Sequence, residues 1–155
     1  MDSALSIPAK FSGGAQIVLY TRYGDPEEEG FEQKWICVWD VRKSYPWFPK
    51  RRIAVHKHFR DLLDAALREL EMKGLHTEIK SMDDCFRVRN VRGSKCVLST
   101  HSWGAAIDLN ALDNALASEG RWSPAFIEVM EKHHIYCGQC WNGRKDPMHF
   151  AMVNG

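Results

Sequence analysis

The sequence predicts an α+β domain: a small antiparallel sheet with packed helices. Three observations carry this. One long stretch, His58 to Lys73, has helical periodicity. A second helix start is marked by Ser123 followed by Pro124. The remaining ordered stretches are short β-type runs, concentrated in the second half and not alternating regularly with helices, which favours α+β over α/β. At 155 residues the chain is long enough to bury a core as one domain, 1–155.

Taken in order, residues 1 to 14 are small and polar and read as a loose lead-in. Ala15 to Tyr20 is a β-branched and aromatic run, expected as a strand. Gly24 to Gly30 holds Asp25-Pro26 and three glutamates, an exposed loop. Trp35 to Val41 alternates and is a second expected strand, and Ser44 to Lys50, with Pro46 and Pro49, is a stiff loop whose Trp47 and Phe48 could line a substrate groove. In the helix at 58–73, Phe59, Leu62, Leu63, Ala66, Leu67 and Leu70 form one apolar stripe, and Gly74 is a natural stop. Leu75 to Ile79 is a short possible strand. Asp84 to Asn90 reads as a strand with Cys85, Arg87 and Arg89 on one face. Ala106 to Leu109 reads as a core strand, and Ala111 to Arg121 is polar and irregular. Ser123 caps a helix reaching about His134, with Pro124 at its first position. Ile135-Tyr136 opens another strand, Gly138 to Lys145 is a turn region, and Met148 to Val153 is a last strand.

Composition excludes several function classes. Twenty-one basic and twenty acidic residues give a net +1, so nucleic acid and membrane surfaces have no bulk electrostatic attraction for the chain. The Lys50-Arg51-Arg52 trio reads as a solvated turn. No apolar run approaches the roughly 20 residues of a membrane span, and Met1 to Ala9 lacks the pattern of a secretory leader. Five cysteines, an odd number, are expected as reduced thiols in a chain made in the cytosol. Cys137-x-x-Cys140 reads as core or loop cysteines rather than half of a zinc site or a redox pair, because no second closely spaced pair accompanies it. His56, His58, His76, His133 and His134 are expected at the surface, and Trp103 in packing.

The chemistry concentrates in Ser99-Thr100-His101-Ser102-Trp103-Gly104-Ala105-Ala106-Ile107-Asp108. A carboxylate inside an apolar strand is costly unless something pairs with it, and a metal would remove the cost. His149, flanked by apolar residues in Asp146-Pro147-Met148-His149-Phe150, is the candidate third ligand. Three protein ligands plus an open position describe catalytic zinc, which lowers the pKa of bound water from about 15.7 to about 7. Asp146 is placed to act as base, although an aspartate beginning a turn before Pro147 is the plainer alternative. Arg89 and Arg87 are candidates to stabilise an oxyanion.

Ser-x-His-Ser-x-Gly-x-Ala-x-Asp followed by Asp-x-x-His resembles the zinc D-alanyl-D-alanine carboxypeptidase family, which includes D-Ala-D-Ala dipeptidases and the L-alanyl-D-glutamate endopeptidases of phage endolysins. Asp84-Cys85-Phe86-Arg87-Val88-Arg89 resembles the aromatic-x-x-Arg strand of the phage-type branch. Tyr136-Cys137-Gly138-Gln139-Cys140-Trp141 resembles its Trp-Gly-Gly-x-Trp stretch, with Cys137 and Gln139 as departures. The likeness runs from about Ile53 to Phe150, and residues 1 to 50 carry no matching motif. It implies a hedgehog/DD-peptidase-like fold and one zinc ion on His101, Asp108 and His149. It further implies Asp146 as base where other members carry glutamate, Arg89 at the scissile carbonyl with Arg87 or Arg92 as alternatives, and Ser99 and Ser102 bonded to substrate or ligand. The implied substrate is peptidoglycan, cut by a monomeric phage or prophage endolysin that has no leader and reaches the wall through a holin. A carboxypeptidase or dipeptidase, or a non-catalytic zinc module of the same fold, are the other readings.

Overall fold

The structure, a computed structural model, describes residues 6–155. After a 3-10 turn at Ala9–Phe11, the described elements are α1 (Gly14–Tyr23), α2 (Phe31–Trp35), β1 (Ile36–Asp40), β2 (Arg52–His56), α3 (Lys57–Met72), β3 (Met82–Asp84), β4 (Ala106–Leu109), α4 (Pro124–Lys132), β5 (Tyr136–Gly138) and β6 (Asp146–Ala151). This is the expected α+β class. β1 and β2 form an antiparallel hairpin, and the other strands form an antiparallel sheet in the order β3-β4-β6-β5. One hydrophobic cluster runs from Phe11 to Val153, so the N-terminal elements and the second sheet share a core.

α3 is the backbone of that core. Phe59, Leu63, Ala66, Leu67 and Leu70 are all buried, each large one contributing about 1.5–3 kcal/mol through burial. Gly74, at φ 72°, sits in the left-handed region just past its end. α4 begins as expected: the Ser123 hydroxyl accepts from the Phe126 amide at 3.1 Å and Pro124 opens the helix.

Several expectations are corrected. Ala15 to Tyr20 is helical, not a strand: Ala15, Gln16 and Leu19 are buried while Ile17 and Val18 face out. That is a helical spacing, and the β-branched pair costs only tenths of a kcal/mol per residue in a helix. Leu75–Glu78 is a 3-10 turn rather than a strand. The strand expected at 84–90 is shorter and earlier, Met82–Asp84. Beyond it the backbone bonds instead to the 98–102 segment: Arg87 N–H to His101 O at 3.0 Å, and Arg89 N–H to the Ser102 hydroxyl at 3.1 Å. Cys85, Arg87 and Arg89 therefore do not share a face; Cys85 is buried, Arg87 exposed and Arg89 half-buried.

Phe48 belongs to the core, and the Trp47 indole donates to Glu71 of α3 and lies 4.9 Å from the His76 ring. Among the described residues, neither of these two lines the cleft that holds the candidate site. His56 is fully buried instead of exposed. Its Nδ1 accepts from the His58 amide at 3.1 Å and so caps α3. Its ring packs 4.1 Å from that of Tyr23 and 5.2 Å from that of Trp35. Burial, helped by the charges of His58 and Lys57, pushes its pKa down to about 4.

Candidate metal centre

His101 stands on a 3-10 turn, Thr100–Trp103, whose N-terminus is capped by Ser99: the hydroxyl accepts from the His101 amide at 3.2 Å. The turn ends at Gly104, φ 67°. A Cβ there would lie 2.7 Å from Ile36 Cδ1 and 2.8 Å from the His56 backbone nitrogen. His56 N–H in turn donates to Gly104 O at 3.0 Å. The β1–β2 hairpin thus presses directly on the turn that carries His101. Gly104→Ala combines left-handed strain with a clash against backbone and is expected to cost about 3 kcal/mol in urea denaturation. A loss below about 0.5 kcal/mol would show that the turn is not held there.

Asp108 and His149 face each other in register across β4 and β6, which puts both side chains on one face of the sheet. His101, Asp108 and His149 offer ligand atoms within 4.8 Å of one another, all three residues buried, the one such group among the described residues. His101 Nε2 is 3.2 Å and His149 Nδ1 3.6 Å from Asp108 Oδ1.

The outer bond of His101 fixes its proton position. His101 Nδ1 is 2.8 Å from the carbonyl oxygen of Cys85. A carbonyl only accepts, so Nδ1 carries the hydrogen and Nε2 turns a lone pair toward Asp108. His149 Nε2 lies 3.3 Å from the Thr100 hydroxyl, leaving Nδ1 for the same centre. Acceptors that converge in a buried site call for a cation, and an N₂O set with its imidazoles oriented from behind fits zinc. Burial pushes the Asp108 carboxyl up, but its contacts with His101 and His149 outweigh that and hold it well below the usual range.

Asp146 begins β6 and pairs with Gly138. A Cβ on Gly138 would lie 2.2 Å from Asp146 O, so only glycine permits this approach. Asp146 Oδ1 is buried with no hydrogen-bond partner among the described residues. Burial raises its pKa, and Asp108 adds to this, against the opposing charges of His149, Arg92 and His101. Asp146 and the three clustered residues line one cleft of ≈ 400 Å³, which also takes in Ser99, Thr100, Arg89 and Trp141. The depression continues past Asp108 along Asp83, Arg87, Ala111 and Ala115.

The other residues singled out in the sequence divide. Arg89 lies beside the centre, with Nη2 3.9 Å from Asp108 Oδ2 and Nε 3.5 Å from Asp84 Oδ2. Ser99 borders the cleft while capping the turn. Ser102 is fully buried; its hydroxyl donates to Arg89 O at 3.0 Å and accepts from Arg89 N–H, so it grips the Arg89 backbone. Arg87 borders only the continuation of the groove. Cys137 is buried and donates to Pro147 O at 3.4 Å, while Cys140 is exposed.

Sequence reasoning missed Thr100 and the Cys85 carbonyl, for which a sequence offers no signal beyond proximity to His101. It also missed that the first turn of α1, Gly13 to Gln16, forms part of the cleft wall. A comparison with curated proteins gives no match. Residues 92–152, which hold His101, Asp108, Asp146 and His149 but begin after Arg89, match the model of a family described as D-alanyl-D-alanine carboxypeptidase, and over that segment the chain is similar to these peptidases.

Proposed function

We propose that the chain is a zinc peptidase of the D-alanyl-D-alanine carboxypeptidase family that hydrolyses an amide of peptidoglycan stem peptides, as an endopeptidase of the phage-endolysin type. The observation that carries the reading is the meeting, in one cleft, of three converging buried ligand atoms and a separate carboxylate whose buried Oδ1 has no partner among the described residues. The family match over residues 92–152 supports the same chemistry.

His101 Nε2, Asp108 and His149 Nδ1 would hold the ion, with Cys85 O and Thr100 Oγ1 fixing the two imidazoles. Bound there, zinc supplies Lewis acidity toward the scissile carbonyl and acidifies water. Asp146 takes the proton of the attacking water as the C–O bond forms, then delivers it to the leaving nitrogen as the C–N bond breaks. Arg89, steered by Asp84 and by the grip of Ser102 on its backbone, brings positive charge to the developing oxyanion. Ser99 holds the turn that presents His101.

The adjoining depression that shares Asp108 with the cleft lengthens the surface open to a peptide and favours an internal bond, whereas the family description favours a C-terminal one. Mass spectrometry of fragments released from purified peptidoglycan decides between them. We expect fragments from an internal cut of the stem. Release of single alanine residues would instead establish a carboxypeptidase. No release by zinc-loaded protein would leave a non-catalytic zinc module.

A further inference from the structure

Two arginines at the cleft have no assigned task. Arg92 and Arg144 both line it, and among the described residues neither is ion-paired, in contrast to Arg89 with Asp84 and Asp108. They are fixed to each other: Arg144 Nη2 donates to Arg92 O at 3.2 Å, and Arg144 Nη1 lies 3.9 Å from where a Cβ on Gly93 would be. The loop carrying Arg92 is itself closed by Val91 N–H to Val97 O at 2.7 Å and Ser94 N–H to Val91 O at 2.9 Å. The Arg144 guanidinium is therefore held at the cleft by one of its five N–H donors, with the others available to a ligand. The side chains of the cleft walls carry three guanidiniums against two carboxylates, Asp108 and Asp146. One of those carboxylates belongs to the ligand cluster, and the other is the unpartnered acid. The uncapped start of α1, Gly13 and Gly14, adds the positive end of a helix to the same wall.

We infer that Arg92 and Arg144 form a clamp for a carboxylate of the bound peptide, so that the cleft selects stem peptides whose non-terminal carboxylates are free over those in which they are amidated. This rests on the peptidase reading for the kind of ligand, but on the arginine pair for the preference. Planar guanidiniums match a carboxylate with paired N–H donors, and an amide in its place offers neither the charge nor the second acceptor. Because both arginines are largely exposed, the preference is screened by salt.

The test uses two soluble stem peptides, L-Ala-γ-D-Glu-diaminopimelate-D-Ala-D-Ala with free non-terminal carboxylates and the same peptide with those groups amidated. They are titrated into zinc-loaded Asp146→Ala protein, so that binding is read without turnover. The free peptide is expected to bind about fivefold tighter at low salt. In the Arg144→Gln and Arg92→Gln forms of that protein the ratio falls to about one through weaker binding of the free peptide alone. Equal affinities for the two peptides, or no binding of either, overturn the clamp; a preference unchanged in both arginine variants does so equally. The peptidase reading fails separately: wild-type protein that shows the preference yet releases nothing from peptidoglycan sinks that reading and leaves the clamp standing.

Discussion

Asp146→Ala lowers peptidoglycan hydrolysis by about 10²–10⁴-fold, the usual worth of a general base, while zinc content stays at one ion per chain. The second half of this expectation separates base from ligand. Asp146 is not among the three residues whose ligand atoms cluster, so its loss leaves the cluster whole. The structure also predicts what happens to stability. A buried carboxylate oxygen without a partner among the described residues is a cost that the fold carries, so removing it leaves Tm unchanged or raises it. Lost activity with retained Tm and retained metal is the pattern of a residue kept for chemistry. Asp146→Glu, which restores the carboxylate on a longer arm, recovers part of the rate. Undiminished hydrolysis by Asp146→Ala would remove this residue from the mechanism.

The parts of the centre that were legible in the sequence are those where chemistry conflicts with context. Asp108 within Ala-Ala-Ile-Asp-Leu is a charge where an apolar residue belongs, and His149 sits between Met148 and Phe150. Such conflicts survive in a sequence because something outside it resolves them. The long helix was legible for the opposite reason: its stripe, its start and Gly74 all agree. What stayed hidden depends on contacts far apart in the chain. The Cys85 carbonyl that orients His101 is a backbone atom sixteen residues away, and any residue could supply it. Ser102 is polar and adjacent to a ligand, which suggests a substrate contact, yet its hydroxyl faces back onto Arg89. The helix at 14–23 carries a β-branched pair that mimics a strand, and only the burial of Ala15 and Leu19 against the shared core decides otherwise. His56 illustrates the same limit: a histidine ahead of an amphipathic helix reads as solvated, but Tyr23 and Trp35 pack on its ring and its Nε2 has no partner among the described residues.

Chelation of zinc lowers the Tm of the wild-type protein by about 10 °C, and Asp108→Asn abolishes that difference. The size follows from linkage: at a free metal concentration about a thousandfold above Kd, binding stabilises the folded state by about 4 kcal/mol, and for a domain of this length each kcal/mol moves Tm by about 2–4 °C. Asp108 is the residue to change because its carboxylate meets both imidazoles, at 3.2 and 3.6 Å. Asparagine keeps its shape and removes its charge. In the variant His101 remains tied to Cys85 O and His149 to Thr100, so the imidazoles stay in place and only the charged third ligand is gone. Zinc content measured after dialysis therefore falls to a small fraction of one per chain, and the metal-free Tm changes far less than the zinc-loaded one. A chelator-sensitive Tm of undiminished size in Asp108→Asn would show that the ion binds elsewhere or without this carboxylate. The metal-free proteins add a second reading of the same geometry. With no cation between them, the Asp108 carboxylate still sits against the two imidazoles in a buried space, and those contacts hold it ionised well below the usual range. The stability this lends the metal-free wild type is present above the ordinary carboxylate pKa of about 4 and fades as the pH falls below it. Asp108→Asn loses that acid-dependent component, so its metal-free Tm responds less to acidification below about pH 4 than that of the wild type.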